Sequence, residues 1–483
     1  MRRALVLVLV ATGVVGLAVT SARGHVRARV AIAGAVWSPP QVLVPASQYA
    51  SNPQLAVSED GDTLAAWDGG PEPQPARAGK AARSSSGSPS ASRQAWSGSD
   101  VVVDTGTVSG GFSPPVVLAE HSADSNDGLD VAISGTGVRY VAWQTYDGGS
   151  HVGGWMIASA APGQPFTAAH VLPVPLARLL ASPEGPVAVV WQTGAALHYA
   201  LLAADGGLGR IVNVSGRIER TAQPLALNDR GAFAAVENTA EPVETRGPPH
   251  PIVYLCEPSG HCMAPHPLKM GRPPAGSEEN DALALSDDGK LTVLAAFSKA
   301  PRNPAANTPW GLWDSTRRPG GRWSAPQELS DGGESPVAAS DGKDSAVTVF
   351  EHFWTPKVQW LGDRIEISVL RAPRDRFAAP DLVRGEEAPN PAALATTMSG
   401  GLLVAWINSG DIVGGEHSRP GIYAVTGSAV DPGAPQLVAS GEVSDETPAA
   451  GIDRDRHGVI LWTGSAQTPP RDAGVYASAY GVP

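Results

Sequence analysis

Charged residues and cysteines are both scarce in this chain of 483 residues. Charged residues make up 17% of it, only two cysteines occur, and the formal net charge is −12. Nucleic-acid binding needs basic stripes, so this balance argues against a nucleic-acid partner and against anionic membrane surfaces. A cationic ligand, a metal ion or a neutral sugar fits the charge better. Hydrophobic residues, at 42%, are still enough to bury a core.

Long apolar runs are also missing, apart from one at the N-terminus. Arg2 and Arg3 precede a mostly apolar segment over 4–19, and Thr20-Ser21-Ala22 offers a small-residue cleavage site. This order is typical of a secretory signal peptide, so we predict a signal at 1–22, a lead-in at 23–36 and a secreted protein. A retained N-terminal membrane anchor is the alternative.

Catalytic signatures are absent as well. The chain has no Gly-x-Ser-x-Gly elbow, no His-Glu-x-x-His motif and no phosphate-binding Gly-Lys-Ser/Thr loop. Carboxylate pairs cannot be assigned as acid and nucleophile without distances. The sequence therefore favours a protein that is not an enzyme.

The two cysteines, Cys256 and Cys262, lie close together in the sequence. In an exported protein such a pair predicts a disulfide that closes a hairpin loop. The alternative is a copper loop, because Cys262, His266 and Met270 follow the ligand order of a blue-copper site.

What the chain does contain is a repeat of about 55 residues. Each copy places an aromatic or apolar anchor six positions before an aliphatic residue, often with proline between them. The anchors are Trp37, Phe112, Phe166, Leu208, Cys262, Trp323, Phe377 and Pro432.

Three further strand-like runs surround each anchor segment. A Pro-x-x-Ala-like run (strand a) is followed by a run that often ends in an aromatic (strand b), with a turn such as Asp60-Gly61 between them. A third run (strand c) then leads into the next anchor segment (strand d). Four-stranded antiparallel units repeated radially are the blades of a β-propeller.

The repeat count predicts an all-β fold of eight blades over 37–483, with seven blades as the alternative because the third repeat is short. The last repeat lacks a strand d, and segment 37–43 is a strand d without a blade. We therefore predict that the N-terminal strand completes the last blade and closes the ring. A Pro-, Gly- and Ser-rich stretch at 70–96 predicts a disordered insertion.

The recurring aromatics of strand b and the anchors are predicted to be core residues that pack between adjacent sheets. Members of the strand-b set are Trp67, Trp143, Trp191, Phe297, Phe350, Trp406 and Trp462.

The segment from Ser315 to Trp323, with its Arg-Pro-Gly-Gly-Arg turn, resembles a degenerate Asp-box hairpin of the sialidase-like (BNR-repeat) propellers. The resemblance implies the fold over most of the chain. No hairpin keeps the motif's aspartate in register, and the nearest approach is Asp431-Pro-Gly433. The Arg-Ile-Pro motif that carries the first substrate-binding arginine of sialidases is absent, and Ser51-Asn-Pro-Gln-Leu55 stands in its place.

In a propeller the d–a and b–c loops share one face, around the central channel, and loops of this kind often carry function. Several d–a loops here are acidic, which could hold Ca²⁺ or steer a cationic partner, or could be a solvated rim. The ligand-binding candidates among them are Glu278, Glu279, Asp281, Glu386, Glu387, Asp445 and Glu446.

One b–c loop is aromatic and adds Phe353, Trp354 and Trp360 as candidates for stacking on sugars or peptides. The sequence thus predicts a monomeric binding or scaffold module for an extracellular glycan, peptide or protein. A divergent sialidase-like glycoside hydrolase is the alternative.

Overall fold

A computed structural model describes most of the chain between residues 36 and 481. The described ranges are 36–44, 49–70, 99–123, 128–146, 152–175, 177–214, 224–237, 250–270, 278–298, 310–342, 345–352, 364–371, 376–383, 392–408, 412–413, 416–417, 420–428, 431–441, 447–464 and 474–481. The predicted signal peptide at 1–22, and nearly all of the lead-in and of the 70–96 insertion, lie outside these residues. Every regular element in them is a β-strand, and none of them forms a helix that could cross a bilayer.

The strands form eight antiparallel sheets in chain order, which we number as blades 1 to 8. Blade 1 contains β2 (Tyr49–Val57), β3 (Asp62–Gly70), β4 (Ser99–Thr107), β5 (Gly111–Phe112) and β6 (Val116–Ala123). Blade 2 contains β7 (Leu129–Ile133), β8 (Arg139–Tyr146), β9 (Val152–Ala160) and β10 (His170–Leu172). Blade 3 contains β11 (Arg178–Ala181), β12 (Val187–Thr193), β13 (Ala196–Leu201) and β14 (Val212–Asn213).

Blade 4 contains β15 (Leu225–Leu227), β16 (Phe233–Glu237), β17 (Ile252–Cys256) and β18 (His266–Pro267). Blade 5 contains β19 (Glu278–Leu285), β20 (Leu291–Ser298), β21 (Trp310–Arg317) and β22 (Gln327–Ser330). Blade 6 contains β23 (Gly333–Ser340), β24 (Ala346–His352), β25 (Arg364–Arg371), β26 (Arg376–Phe377) and β27 (Asp381–Val383).

Blade 7 contains β28 (Ala393–Thr396), β29 (Gly401–Asn408), β32 (Gly421–Ser428), β33 (Asp431–Pro432) and β34 (Gln436–Ser440), with a small hairpin of β30 (Ile412–Val413) and β31 (Glu416–His417) between β29 and β32. Blade 8 contains β35 (Ala449–Ile452), β36 (Gly458–Gly464), β37 (Gly474–Tyr480) and, from the other end of the chain, β1 (Gln41–Val44).

The N-terminal strand completes the last blade, as the sequence predicted. Gln41 of β1 pairs with Ala477, and Val44 pairs with Val475. Each innermost strand also contacts the innermost strands of the blades on both sides, including β2 against β35. The sheets therefore form a closed ring of eight blades, and the prediction of eight rather than seven is confirmed.

The hydrophobic core is divided among the gaps between blades. Each of the eight buried clusters draws its residues from two neighbouring blades, and the cluster with Leu43, Trp67 and Val475 joins blade 8 to blade 1. A strand b therefore has both faces buried, as in β29, where every residue is buried. This explains why these strands read as nearly continuous runs of Ala, Val, Leu and Ile rather than as an alternating pattern.

The two sets of residues predicted to be core, the strand-b aromatics and the anchors, differ in how deeply they are buried. The strand-b aromatics are all buried, as predicted. Among the anchors, Phe377 is buried, but Trp37, Phe112 and Trp323 are only partly buried. The anchors precede the outermost strands, which have a neighbouring strand on one side only. Proline suits such edge strands because it has no N–H to offer another chain.

Candidate functional site

Most of the predicted ligand-binding residues fall outside the described residues. These are Phe353, Trp354, Trp360, Glu386, Glu387, Asp445 and Glu446. Glu278, Glu279 and Asp281 are described in backbone position, and they begin the innermost strand of blade 5 instead of lying in a loop. Asp281 pairs with Ala295, and both of its carboxylate oxygens are buried. A role for these residues in ligand binding remains a prediction.

The sequence offers two places for a metal ion, the acidic d–a loops and the segment from Cys262 to Met270. Among the residues that the structure describes, no three His, Cys, Asp or Glu side chains are grouped so that they could hold a metal ion. Calcium on the acidic loops therefore remains a prediction. Cys262 is bonded to Cys256, so the predicted disulfide is confirmed. The alternative copper loop is wrong, because a disulfide sulfur has no thiolate to offer a metal.

The eight a–b turns come together at one end of the ring, and we call this end the turn mouth. The turns are 58–61, 134–137, 182–185, 228–231, 286–289, 340–342, 397–400 and 453–456. Several of them close with a glycine at positive φ, such as Gly61 at 85° and Gly289 at 85°. That conformation lets glycine form the tight turn predicted from the Asp-Gly pairs.

Neighbouring turns are hydrogen-bonded to each other around the turn mouth. The N–H of Glu184 donates to Asp229 Oδ1 at 2.9 Å, and the N–H of Asp229 donates to Asp287 Oδ1 at 3.0 Å. The N–H of Met398 donates to Glu59 Oε1 at 2.8 Å. Acidic side chains therefore serve as acceptors that join the turns of different blades: two of these bonds join consecutive blades, and the Met398–Glu59 bond joins blade 7 to blade 1 across blade 8.

The turn mouth also holds a cluster of carboxyl groups with raised pKa values. Burial raises the pKa of Asp287 to about 6, and the nearby Asp229 carboxylate adds to the effect. Burial, together with Glu184 and Asp229, raises the pKa of Glu59. The second oxygen of Glu59, Oε2, is buried and has no hydrogen-bond partner among the described residues.

Arg454 of blade 8 lies across this acidic cluster. Its guanidinium lies 2.5 Å from Asp60 of blade 1 and 3.8 Å from Glu184 of blade 3. Its backbone N–H also donates to the carbonyl of Glu59 at 3.0 Å. One arginine thus contacts residues of two other blades, and hydrogen bonds and ion pairs join the turns at the turn mouth.

A pocket of about 430 Å³ lies at the outer side of the ring, between blades 4 and 5, and we call it the side pocket. Its apolar part is formed by Val253 and Leu255 of β17, Leu291 of β20, and Met263 and Trp323 from the two c–d hairpins. Val253 and Leu291 are buried and belong to the core cluster between these blades, whereas Met263 is 40% exposed. The side pocket is thus a solvent-accessible extension of the core.

Polar groups line the pocket beside this apolar part. Arg317 ends β21 and Arg322 belongs to the hairpin that follows it. Neither guanidinium forms an ion pair with any residue that the structure describes. His266 stacks on Trp323 with ring centres 5.9 Å apart and ring planes 11° apart. This stack joins the hairpins of the two blades directly.

Each of the two hairpins is held in place by its own contacts. On blade 4, the disulfide between Cys256 and Cys262 joins the two arms, and the N–H of Met263 donates to the Leu255 carbonyl at 2.9 Å. On blade 5, the N–H of Thr316 donates to the hydroxyl of Ser324 at 3.0 Å. The walls are therefore positioned by the fold before any ligand arrives.

Sequence reasoning did not identify the side pocket. Trp323 was predicted to be core, and Arg317 and Arg322 were noted only as part of the hairpin that resembles an Asp box. A run with three arginines in a strongly acidic chain was the available signal. This hairpin contacts the disulfide hairpin of the preceding blade only in the folded protein, so the contact could not be predicted from the spacing of residues in the sequence.

Comparisons with known proteins are limited to distant structural similarity. No protein-family model matches the chain, and no curated protein matches its sequence. A protein of unknown function from Dyadobacter fermentans is 12% identical, with 94% of this chain and 100% of that chain covered and a TM-score of 0.41. The WD40 domain of SCAP from fission yeast is 9% identical, with 92% and 98% covered and a TM-score of 0.48.

A mutant of the NanB sialidase from Streptococcus pneumoniae is 9% identical, with 82% of this chain and 71% of that chain covered and a TM-score of 0.37. Similarity at this level does not identify a family or an activity. The fold of this chain, an eight-bladed β-propeller, is established by its own sheet pairing and ring closure.

Proposed function

We propose that this protein is an exported, sialidase-like β-propeller that acts as a binding module for an extracellular ligand. The side pocket is the ligand site. Its volume of about 430 Å³ lies within the range of roughly 300–1,000 Å³ found for ligand pockets. An apolar lining with a few polar groups at one side is also typical of such sites.

The composition of the lining supports binding rather than hydrolysis. The lining residues that the structure describes include no carboxylate, serine or cysteine thiol. A glycosidase generally needs two carboxyl groups that flank the scissile bond. The carboxylates at the turn mouth accept backbone N–H groups or pair with Arg454, so their geometry gives the hydrolase alternative no support.

A matched pair of surface substitutions tests the site. Met263 lines the side pocket and Leu437 lies on blade 7, yet their exposed fractions are similar at 40% and 39%. We expect M263A to weaken binding of the ligands found by screening the secreted chain against glycan and peptide arrays. L437A should leave that binding unchanged, because it removes an equally exposed apolar group elsewhere.

The measurement is the equilibrium dissociation constant for each hit from the arrays. Hits that bind both variants as tightly as the unmodified chain would place the ligand site outside the side pocket. Turnover of a glycan on the array by the purified chain would contradict the non-enzymatic function.

A further inference from the structure

The side pocket offers a ligand two chemically different surfaces. The apolar surface, formed by Val253, Leu255, Met263, Leu291 and Trp323, contributes mainly burial and van der Waals contact. Burial of apolar area contributes roughly 25 cal/mol per Å², whereas a hydroxyl buried without a partner is destabilising. A sugar ring with hydroxyls on every side is therefore a poor match, and an apolar side chain is a good one.

The second surface is the pair of guanidinium groups of Arg317 and Arg322. Both lack an ion-pair partner among the described residues, although the chain as a whole carries a net charge of −12. Arginine presents a planar set of donors that matches a carboxylate in bidentate geometry. A ligand that brings carboxylates beside its apolar group would supply the missing partners.

We propose that the side pocket binds a peptide segment of a partner protein in which an aromatic or large aliphatic side chain is flanked by aspartate or glutamate. The apolar side chain enters between Met263 and Trp323, and the flanking carboxylates pair with Arg317 and Arg322. This inference rests on the proposed binding function and adds the chemical class of the ligand.

The proposal predicts a specificity that differs from the expectation based on overall charge. The composition favours a cationic or neutral ligand, whereas the local arrangement of arginines favours an acidic one. Local charge decides binding here, because interactions between exposed charges are screened over about 8 Å at physiological ionic strength.

A peptide array tests this specificity on the purified chain. Each peptide has a central Phe, Tyr, Trp, Leu or Ala, flanked on each side by two residues that are Asp, Asn or Lys. We expect binding of the Asp-flanked peptides with a large apolar centre. The Ala-centred, Asn-flanked and Lys-flanked peptides should bind more weakly by roughly tenfold or more.

Substitutions that remove the positive charge but keep an unbranched polar side chain locate the effect. R317Q and R322Q should each weaken binding of the Asp-flanked peptides by roughly tenfold while leaving the Asn-flanked peptides unchanged. R139Q on blade 2 is the control, because it makes the same change in net charge far from the pocket. Circular dichroism of each variant checks that the fold is kept.

The experiments distinguish failure of the acidic-peptide proposal from failure of the proposed binding function. Equal binding of Asp-flanked and Lys-flanked peptides, or an unchanged affinity in R317Q and R322Q, would overturn the acidic-peptide proposal. Binding of a glycan that is lost in M263A, with no peptide bound, would also overturn it but would support the proposed function. If no array ligand responds to M263A, the proposed function fails as well.

Discussion

Buried carboxyl groups are the most unusual single residues in this fold. Asp104 on strand c of blade 1 and Asp314 on strand c of blade 5 are both almost fully buried. Burial raises the pKa of Asp104 to about 6 and the pKa of Asp314 to about 7. The nearby charge of Arg376 lowers the pKa of Asp314, but burial raises it by more. These groups take up protons on folding near neutral pH.

The raised pKa values predict a stability that falls as pH rises. A carboxyl group whose pKa is higher in the folded state makes a stabilising contribution that is complete below its unfolded value, near 3.8, and is lost as pH rises through its folded value. For Asp314 this loss extends to about pH 7. The unfolding free energy should therefore be lower at pH 8 than at pH 5.

The variant D314N tests this at one residue. Because asparagine does not ionise, the decrease in stability between pH 5 and pH 8 should be smaller by on the order of 1–3 kcal/mol. Urea unfolding at both pH values measures the difference. E120Q, at an exposed position on blade 1, is the control and should keep the pH dependence of the unmodified chain. An unchanged pH dependence of stability in D314N would show that the raised pKa of Asp314 does not cause the decrease.

At the scale of elements, short hairpins at the outer edge define the side pocket. The disulfide hairpin of blade 4 supplies Met263 and His266, and the hairpin of blade 5 supplies Arg322 and Trp323. The disulfide closes a loop of only a few residues, so it restricts the unfolded chain modestly. A loop of this size corresponds to about 2 kcal/mol in the chain-entropy model.

Removal of the disulfide is therefore expected to affect the pocket more than the fold. The variant with C256A and C262A together should unfold at a slightly lower urea concentration, with a loss of about 2 kcal/mol, and remain a propeller by circular dichroism. If the side pocket binds the Asp-flanked peptides as proposed, its affinity for them should fall, because one wall is no longer held in place. Full retention of affinity would show that the disulfide does not position the wall.

The closing strand β1 carries one buried and one exposed valine, so the same substitution can be compared at both positions. Val44 is 5% exposed and packs in the core cluster between blades 8 and 1, whereas Val42, two residues away, is 54% exposed. V44D should lower the unfolding free energy by at least about 2 kcal/mol, because a charge would enter the core. V42D should change it by less than about 0.5 kcal/mol. Similar losses in both variants would contradict the observed placement of β1.

At the scale of the whole molecule, ring closure couples the ends of the chain. Blade 8 is completed by β1 in the sheet, and at the turn mouth Arg454 of that blade contacts Glu59 and Asp60 of blade 1. The pairing of β1 lies within blade 8, while Leu43 and Val44 of β1 pack in the core cluster shared with blade 1, so the core and the Arg454 contacts both hold blade 8 against blade 1. Opening the ring would expose the core between those blades to water.

Deletion of 37–44 is therefore expected to destabilise the fold far more than deletion of 71–96, which removes nearly all of the 70–96 stretch predicted from sequence to be a disordered insertion. Thermal unfolding followed by circular dichroism measures both variants. The first should show a much lower melting temperature, and the second a nearly unchanged one. Equal tolerance of the two deletions would contradict closure by the N-terminal strand.

Much of the architecture could be predicted because the same local sequence pattern recurs in each repeat. The aromatic near the end of strand b, as in Trp67 and Trp406, recurs in most blades, and the Asp-Gly turns mark the hairpins. A repeat of this kind also reveals its own ends, since segment 37–43 lacked a blade and the last repeat lacked a strand. Function could not be predicted in the same way, because the site residues lie in hairpins that differ from one blade to the next.

The sequence by itself predicted the fold class and the closing strand, and it favoured eight blades and the disulfide over their alternatives, because each follows from local patterns or from the repeat arithmetic. Only the tertiary structure brought Arg317, Arg322 and Trp323 of blade 5 against Met263 and His266 of blade 4. It alone placed Arg454 across three blades at the turn mouth. The physical reason is that both sites are formed by contacts between blades, and the packing angle and spacing of neighbouring sheets decide which side chains meet.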